Sequence, residues 1–169
     1  MKVKPLLEGK PFMTEYGIVG YSTVVLIACD DEKNILYDCG SKGCALQLKE
    51  ALEKAGMKPE DITHVVISHL HFDHVGNLPL FSNAQILLSE TEWESANQTP
   101  DEWHSIQTLA YLEKRGTLRF VKEGDIISEE VSVMELPGHT PGLIGLRCGA
   151  ETILYISFTS SASIISLYI

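Results

Sequence analysis

Residues 62–77 read ITHVVISHLHFDHVGN, an apolar β-branched run followed directly by three histidines and an aspartate between His69 and His74. Thr63 to Ile67 has the composition of a short buried strand. The histidine run therefore begins where that strand stops, in a loop at its end. His69 and His71 are two apart, and alternate side chains of an extended backbone share a side, so both imidazoles can reach one cation. Asp73 and His74 follow at once, where a turning loop can aim them at a neighbouring cation. Zinc accepts imidazole nitrogen and carboxylate oxygen at roughly 2.0–2.2 Å. A lone histidine is ordinarily a packed or surface residue, but four potential ligands within six positions after a buried strand point to metal.

The bulk composition narrows what such a site could serve. With 169 residues, 44% of them hydrophobic and 21% charged, the chain is of ordinary globular make-up and large enough for a real core. A formal net charge of -10 disfavours nucleic acid as a partner, because phosphate backbones are gripped by basic surfaces. No uninterrupted apolar run approaches the ~20 residues of a membrane span, and Pro5 and Glu8 interrupt the start before a secretory apolar region develops. The four cysteines, Cys29, Cys39, Cys44 and Cys148, include no CxxC pair. They read as reduced thiols of a cytoplasmic protein. Homo-oligomerisation is compatible with the sequence and not specified by it.

Around the histidine run the elements alternate. YSTVVLIACDDEKNILYDCG reads as a hairpin turning at Asp30 to Asn34. Ala45, Leu48, Leu52 and Ala55 recur at three and four and predict a helix from Lys42 to Gly56. AQILLS predicts a strand. Ser89 and Glu92 resemble a capping box, and DEWHSIQTLAYLEKRG reads as a second helix stopped by Gly116. LRFV, VSVMEL, LIGLRC and TILYIS predict strands, with turns at EGD, PGHTPG and GAE. His139 sits between two Pro-Gly turns, where a rigid loop fixes a ligand at little entropic cost. His64 reads as a strand packing residue and His104 as a helix-surface one, so neither joins the ligand set. Trp93, Trp103 and Phe72 could line a pocket, although aromatics beside helices are more often core.

HLHFDH resembles the HxHxDH signature of the metallo-β-lactamase superfamily, and the likeness runs from residue 15 to 157 through the hairpin, YDCG with Asp38, and PGHTPG with His139. The resemblance implies an α/β fold, an αββα sandwich of the metallo-β-lactamase type that is incomplete at the C-terminus. It also implies a single domain over residues 1–169, family-like to about 157, with an atypical tail at 158–169. By the same resemblance His69, His71 and His139 would bind a first metal and Asp73 and His74 a second. Asp38 would orient ligands from behind, although a strand-end carboxylate is an equal reading of that residue alone. Histidine at position 71, where the di-iron flavoproteins of the family tend to carry glutamate, favours zinc over iron.

The resemblance stops after ILYIS. There the family continues with Gly-Asp, whose aspartate bridges two metals, and later with a further histidine; here the sequence runs SFTSSASIISLYI. The second site thus lacks two expected ligands, and one Zn2+ is expected where the intact pattern holds two. A shortened or altered version of a longer enzyme explains the abrupt end better than a natural one-metal variant. Zinc with three protein ligands and an open position acidifies bound water, so the implied reaction is hydrolysis of a small or medium ester, lactone, thioester or amide, with Asp73 as the catalytic carboxylate. A small-molecule substrate suits the acidic chain. A metal-dependent phosphodiesterase or ribonuclease, or a catalytically silent metal-binding protein, are the alternatives.

Overall fold

The computed structural model describes residues 1–10, 12–15, 17–149, 152–154, 156–159 and 162–165. Glu151 of the predicted GAE turn and residues 160, 161 and 166–169 of the atypical tail lie outside the described residues.

The predicted hairpin is β4 (Val24–Ala28) and β5 (Asn34–Tyr37), antiparallel with Val25 opposite Tyr37. Ahead of it, β1 (Lys2–Leu7) forms an outer strand antiparallel to β4, with Pro5 opposite Val25. Sequence reasoning missed β1 because proline and lysines disguise a strand. Proline lacks the N–H that an inner ladder needs, so it is tolerated at a sheet edge. A two-residue ladder joins β2 (Met13–Thr14) to β3 (Gly17–Ile18).

From β5 onward the chain winds in parallel. Helix α1 (Ala45–Lys54) buries Leu48 and Leu52 and leads to β6 (His64–Val66), parallel to β5. The single turn α2 (Phe72–Val75) precedes β7 (Gln85–Ser89), parallel to β6. Helices α3 (Glu90–Gln98) and α4 (Ile106–Arg115) then return the chain to β8 (Leu118–Val121), parallel to β7. The sheet order is β1-β4-β5-β6-β7-β8. A second, antiparallel sheet has the order β12-β11-β10-β9, built from β9 (Ile126–Ser128), β10 (Val131–Glu135), β11 (Ile144–Cys148) and β12 (Thr152–Leu154). In the tail, β13 (Ile156–Thr159) and β14 (Ala162–Ile165) pair with each other.

Strand alternation divides the core in two. Val24, Leu26, Leu36, Val65 and Ile86 face Leu48 and Leu52 of α1, Ala96 of α3 and Leu112 of α4. Val25, Ile27, Ile35, Tyr37 and Val66 face the second sheet through Val131, Val133, Ile144 and Leu146. Among the described residues this gives the helix, sheet and sheet layers of the expected α/β sandwich.

The helix read from DEWHSIQTLAYLEKRG is corrected at its start. It begins at Ile106, because the Ser105 hydroxyl accepts from the Thr108 backbone N–H at 3.3 Å and caps the helix there. Its stop is as predicted, with Gly116 left-handed at φ 68°. No helix among the described residues is long and apolar enough to cross a membrane.

The loop between β10 and β11 runs tightly against the start of α3. A Cβ on Gly142 would collide with the backbone nitrogen of Glu92 and come within 2.5 Å of its Cα. Backbone cannot swing aside as a side-chain tip can, so overpacking here forces whole elements apart. Gly142→Ala is expected to lower stability by about 1–3 kcal/mol, measured by urea unfolding; an unchanged midpoint would show that the loop gives way freely.

Candidate metal centre

The histidine run occupies the C-terminal end of β6, where parallel sheets place their ligand sites. Three backbone features hold it. Asp38, at the end of β5, donates its N–H to Val66 O at 2.9 Å, Cys39 donates to His74 O at 2.8 Å, and Ile144 of β11 donates to Ser68 O at 3.0 Å. The last of these ties the second sheet to the loop.

His69, His71 and His139 come together: one ligand nitrogen from each lies within 4.8 Å of the others. His139 Nε2 is 3.1 Å from His71 Nδ1, and the His69 ring meets the His71 and His139 rings edge-on, with centroids 4.6 and 4.9 Å away. His69 and His71 are buried, whereas His139, at the tip of the β10–β11 loop, is exposed. Leu136 N–H to Leu143 O (2.8 Å) and Gly138 N–H to Thr140 O (3.1 Å) close that loop. This donor set suits zinc, which is commonly held by three protein ligands with a fourth position open.

Burial, reinforced by the neighbouring imidazoles, holds the His69 pKa well below its ordinary value. For His71 burial outweighs the pull of Asp101 and lowers the pKa to about 4. Burial also lowers His139. All three are therefore neutral near pH 7, which is the ligating form.

Asp73 and His74, expected at a second cation, are also adjacent, with Asp73 Oδ2 3.5 Å from His74 Nε2. The other His74 nitrogen, Nδ1, lies 2.8 Å from Asp38 Oδ2. Burial disfavours a charged His74, but Asp38 and Asp73 more than offset it, and the pKa is raised. Asp38 accepts two further hydrogen bonds, from the Ser68 N–H and the Ser68 hydroxyl, each 2.8 Å. Asp38 thus touches Ser68 and His74, the residues on either side of the candidate ligands His69 and His71. Its backbone sits at φ 56°, a left-handed conformation that aspartate tolerates better than most residues.

Three participants lie outside the ligand set read from the sequence. Ser89 does cap α3, accepting from Glu92 N–H at 3.2 Å, but Glu92 does not complete a capping box. Its buried carboxylate instead accepts from Leu70 N–H at 2.9 Å and Gly142 N–H at 3.3 Å, clamping the two ligand loops together. His104 is not a helix-surface residue. It precedes α4, its side chain is only 6% exposed, and its ring lies edge-on to His71 at 5.0 Å. With Asp101 and His71 it forms a second group of three ligand-type side chains. Ser105, an N-cap residue type directly before the apolar-periodic stretch from Ile106, was the available signal that the helix starts later. His64 is half-buried on its strand, 2.8 Å from the Thr63 hydroxyl. Phe72 and Trp103 stack on each other at 6.1 Å, while Trp93 packs on the helical core.

Residues 17–156 match the profile of the metallo-beta-lactamase superfamily. An N-acyl homoserine lactonase of Bacillus cereus is 34% identical over 113 residues, covering 66% of this chain and 43% of that protein. Metallo-beta-lactamase domain-containing protein 1 of Xenopus laevis is 33% identical over 112 residues, covering 66% of this chain and 42% of that protein. A Thermotoga maritima crystal structure, described as that of a candidate metallo-beta-lactamase, superposes with a TM-score of 0.71 at 23% identity. The superposition covers 95% of this chain and 75% of that one, and it speaks to the fold alone. The chain belongs to the metallo-β-lactamase superfamily. It spans less than half the length of the curated relatives named here.

Two outcomes follow from the buried polar network. Removing the Asp38 carboxylate strips Ser68 and His74 of a shared buried partner, so Asp38→Ala is expected to cost about 3–5 kcal/mol, read by chemical denaturation; a loss below about 1 kcal/mol would place the carboxylate outside the network. In the metal-free protein, His69, His71 and His139 have lowered pKa values, so the unfolded chain binds more protons below about pH 6.5. Their contribution to stability therefore falls as pH drops from there, for His71 down to about 4. His74 works the other way: its raised pKa adds stability that is fully present below about pH 6.5 and lost as pH rises through the folded value. Burial lowers His64 as well, so with four histidines against one the melting temperature of metal-free protein should be lower near pH 5 than near pH 7, and a higher value near pH 5 would contradict these assignments.

Proposed function

We propose that this chain works as a zinc-dependent hydrolase, with a lactone or a related small ester, thioester or amide as substrate. The observation that carries the reading is the convergence of His69, His71 and His139 from two sheets onto one point. Lactone heads the substrate classes because several of the curated relatives are N-acyl homoserine lactonases. The net charge of -10 favours a small, weakly charged molecule over a polyanion.

In this reading His69, His71 and His139 hold the first zinc, and Asp73 with His74 forms a partial second site. Bound zinc supplies an electrophile for the acyl oxygen and acidifies a water molecule. Asp73, whose side chain is 17% exposed beside buried His74, is the carboxylate that would meet substrate. Its carboxylate orients the attacking water, accepts the proton lost as the new C–O bond forms, and returns it to the leaving alkoxide as the ring C–O bond breaks. Asp38 keeps the His74 ring turned so that Nε2 faces Asp73. Ser68, whose hydroxyl proton goes to Asp38, accepts with its oxygen from His69 Nδ1–H at 3.0 Å and helps fix that ring.

The test is metal analysis of purified protein together with a panel of lactone, thioester, β-lactam and phosphodiester substrates. About one zinc per chain is expected, with turnover fastest on lactones. His71→Ala should abolish tight zinc binding and reduce turnover more than about 100-fold. Turnover on phosphodiesters alone would move the reading to nuclease chemistry, and zinc binding without any turnover would leave a metal-binding protein.

A further inference from the structure

The second group of ligand-type side chains, His71, Asp101 and His104, shares His71 with the first. The two groups use opposite nitrogens of that ring. His71 Nδ1 faces His139 Nε2 at 3.1 Å, while His71 Nε2 lies 3.3 Å from Asp101 Oδ2. A neutral imidazole carries one proton and one lone pair, so it cannot serve a cation on each side. An anionic carboxylate beside Nε2 draws the proton there and leaves the Nδ1 lone pair directed at the His69 and His139 side.

Asp101 is itself held in place. Its Oδ1 accepts from Trp103 N–H at 2.9 Å and lies 2.8 Å from His104 Nδ1. That ring nitrogen is also 3.1 Å from the Asp101 backbone nitrogen, but the closer, anionic oxygen assigns the proton to His104 Nδ1. Backbone contacts fasten the whole segment to the metal loop: Phe72 N–H donates to Trp103 O at 2.9 Å, and His71 and His104 form an antiparallel bridge. A turn-capping aspartate needs only Oδ1. The second oxygen, turned on His71, is what a capping role leaves unexplained.

Resting on the zinc reading above, we propose that Asp101, braced by His104, is a positioning residue that fixes the tautomer and ring orientation of His71 for metal binding through Nδ1. Metal-bound histidines gain basicity and a fixed ring plane from such a partner, and losing it typically weakens metal binding about 10–100-fold.

The tautomer can be read without metal and the affinity with it. Long-range 1H–15N NMR of the metal-free wild type should show His71 protonated at Nε2, with Asp101→Leu moving it to a tautomer mixture and Asp101→Asn, which keeps an acceptor oxygen, giving a smaller change. Zinc affinity by competition with a chromophoric chelator should fall about 10–100-fold in Asp101→Leu, less in Asp101→Asn, and measurably in His104→Ala, with stoichiometry unchanged. Unchanged tautomer and affinity in folded Asp101→Leu would overturn the proposal. So would a second zinc that disappears in His104→Ala, because the group would then be a metal site in its own right. If the wild type shows the Nε2 tautomer yet binds no zinc, the hydrolase reading fails while the His71–Asp101 contact stands.

Discussion

The buried carboxylate of Asp38 is the constraint on which the rest of the site depends. It has no exposed surface, and a charge in that position is tolerable only when its oxygens are matched by donors. The donors are supplied by the loop it organises: Ser68 through both backbone and hydroxyl, and His74 through Nδ1. Because Asp38 ends β5 and Ser68 follows the neighbouring parallel strand β6, the network converts strand register into side-chain placement. The Cys39 N–H to His74 O bond repeats the tie one residue on. A one-residue slip between β5 and β6 would turn these groups to the opposite face.

A second carboxylate does for the two ligand loops what Asp38 does for the two strands. Glu92 is buried at the start of α3, and each of its oxygens takes one backbone N–H, from Leu70 between the first two histidines and from Gly142 beyond His139. An apolar side chain there would leave both amides without acceptors in the interior, at a cost of about 1–3 kcal/mol for each such group. The close approach of Gly142 to the backbone of α3 serves the same end, since only a residue without a Cβ lets the amide reach.

What the sequence revealed and what it hid follow from the range of the interactions. His69, His71, Asp73 and His74 were legible because their grouping is local, and the strand before them has unmistakable composition. His139 was legible through its proline-glycine frame. Asp38 could be placed near the site but not separated from a strand-end carboxylate, because its three bonds join residues 30 or more positions away. Asp101 and His104 were lost to a helix drawn too long: the periodicity of SIQTLAYLEK is real, but it carries no sign of where the preceding segment bends back onto His71. Glu92 was visible only as a local cap, and β1 was masked by its proline.

The candidate ligand nitrogens come from two different sheets, and this shapes what metal binding would do to the molecule. His69 and His71 are buried and fixed by the parallel sheet, whereas His139 stands exposed at the end of the β10–β11 loop. Without a cation, its placement relative to them is set by Glu92 and by the Ile144 N–H to Ser68 O bond. A metal held by all three imidazoles adds a link of a different kind, since part of its binding free energy becomes free energy holding the sheets together. The same link would tighten the frame around Asp73, the carboxylate proposed to handle the proton. The polar contacts behind the site therefore lower the cost of bringing the three imidazoles together, and a metal held there would secure His139, which those contacts leave exposed.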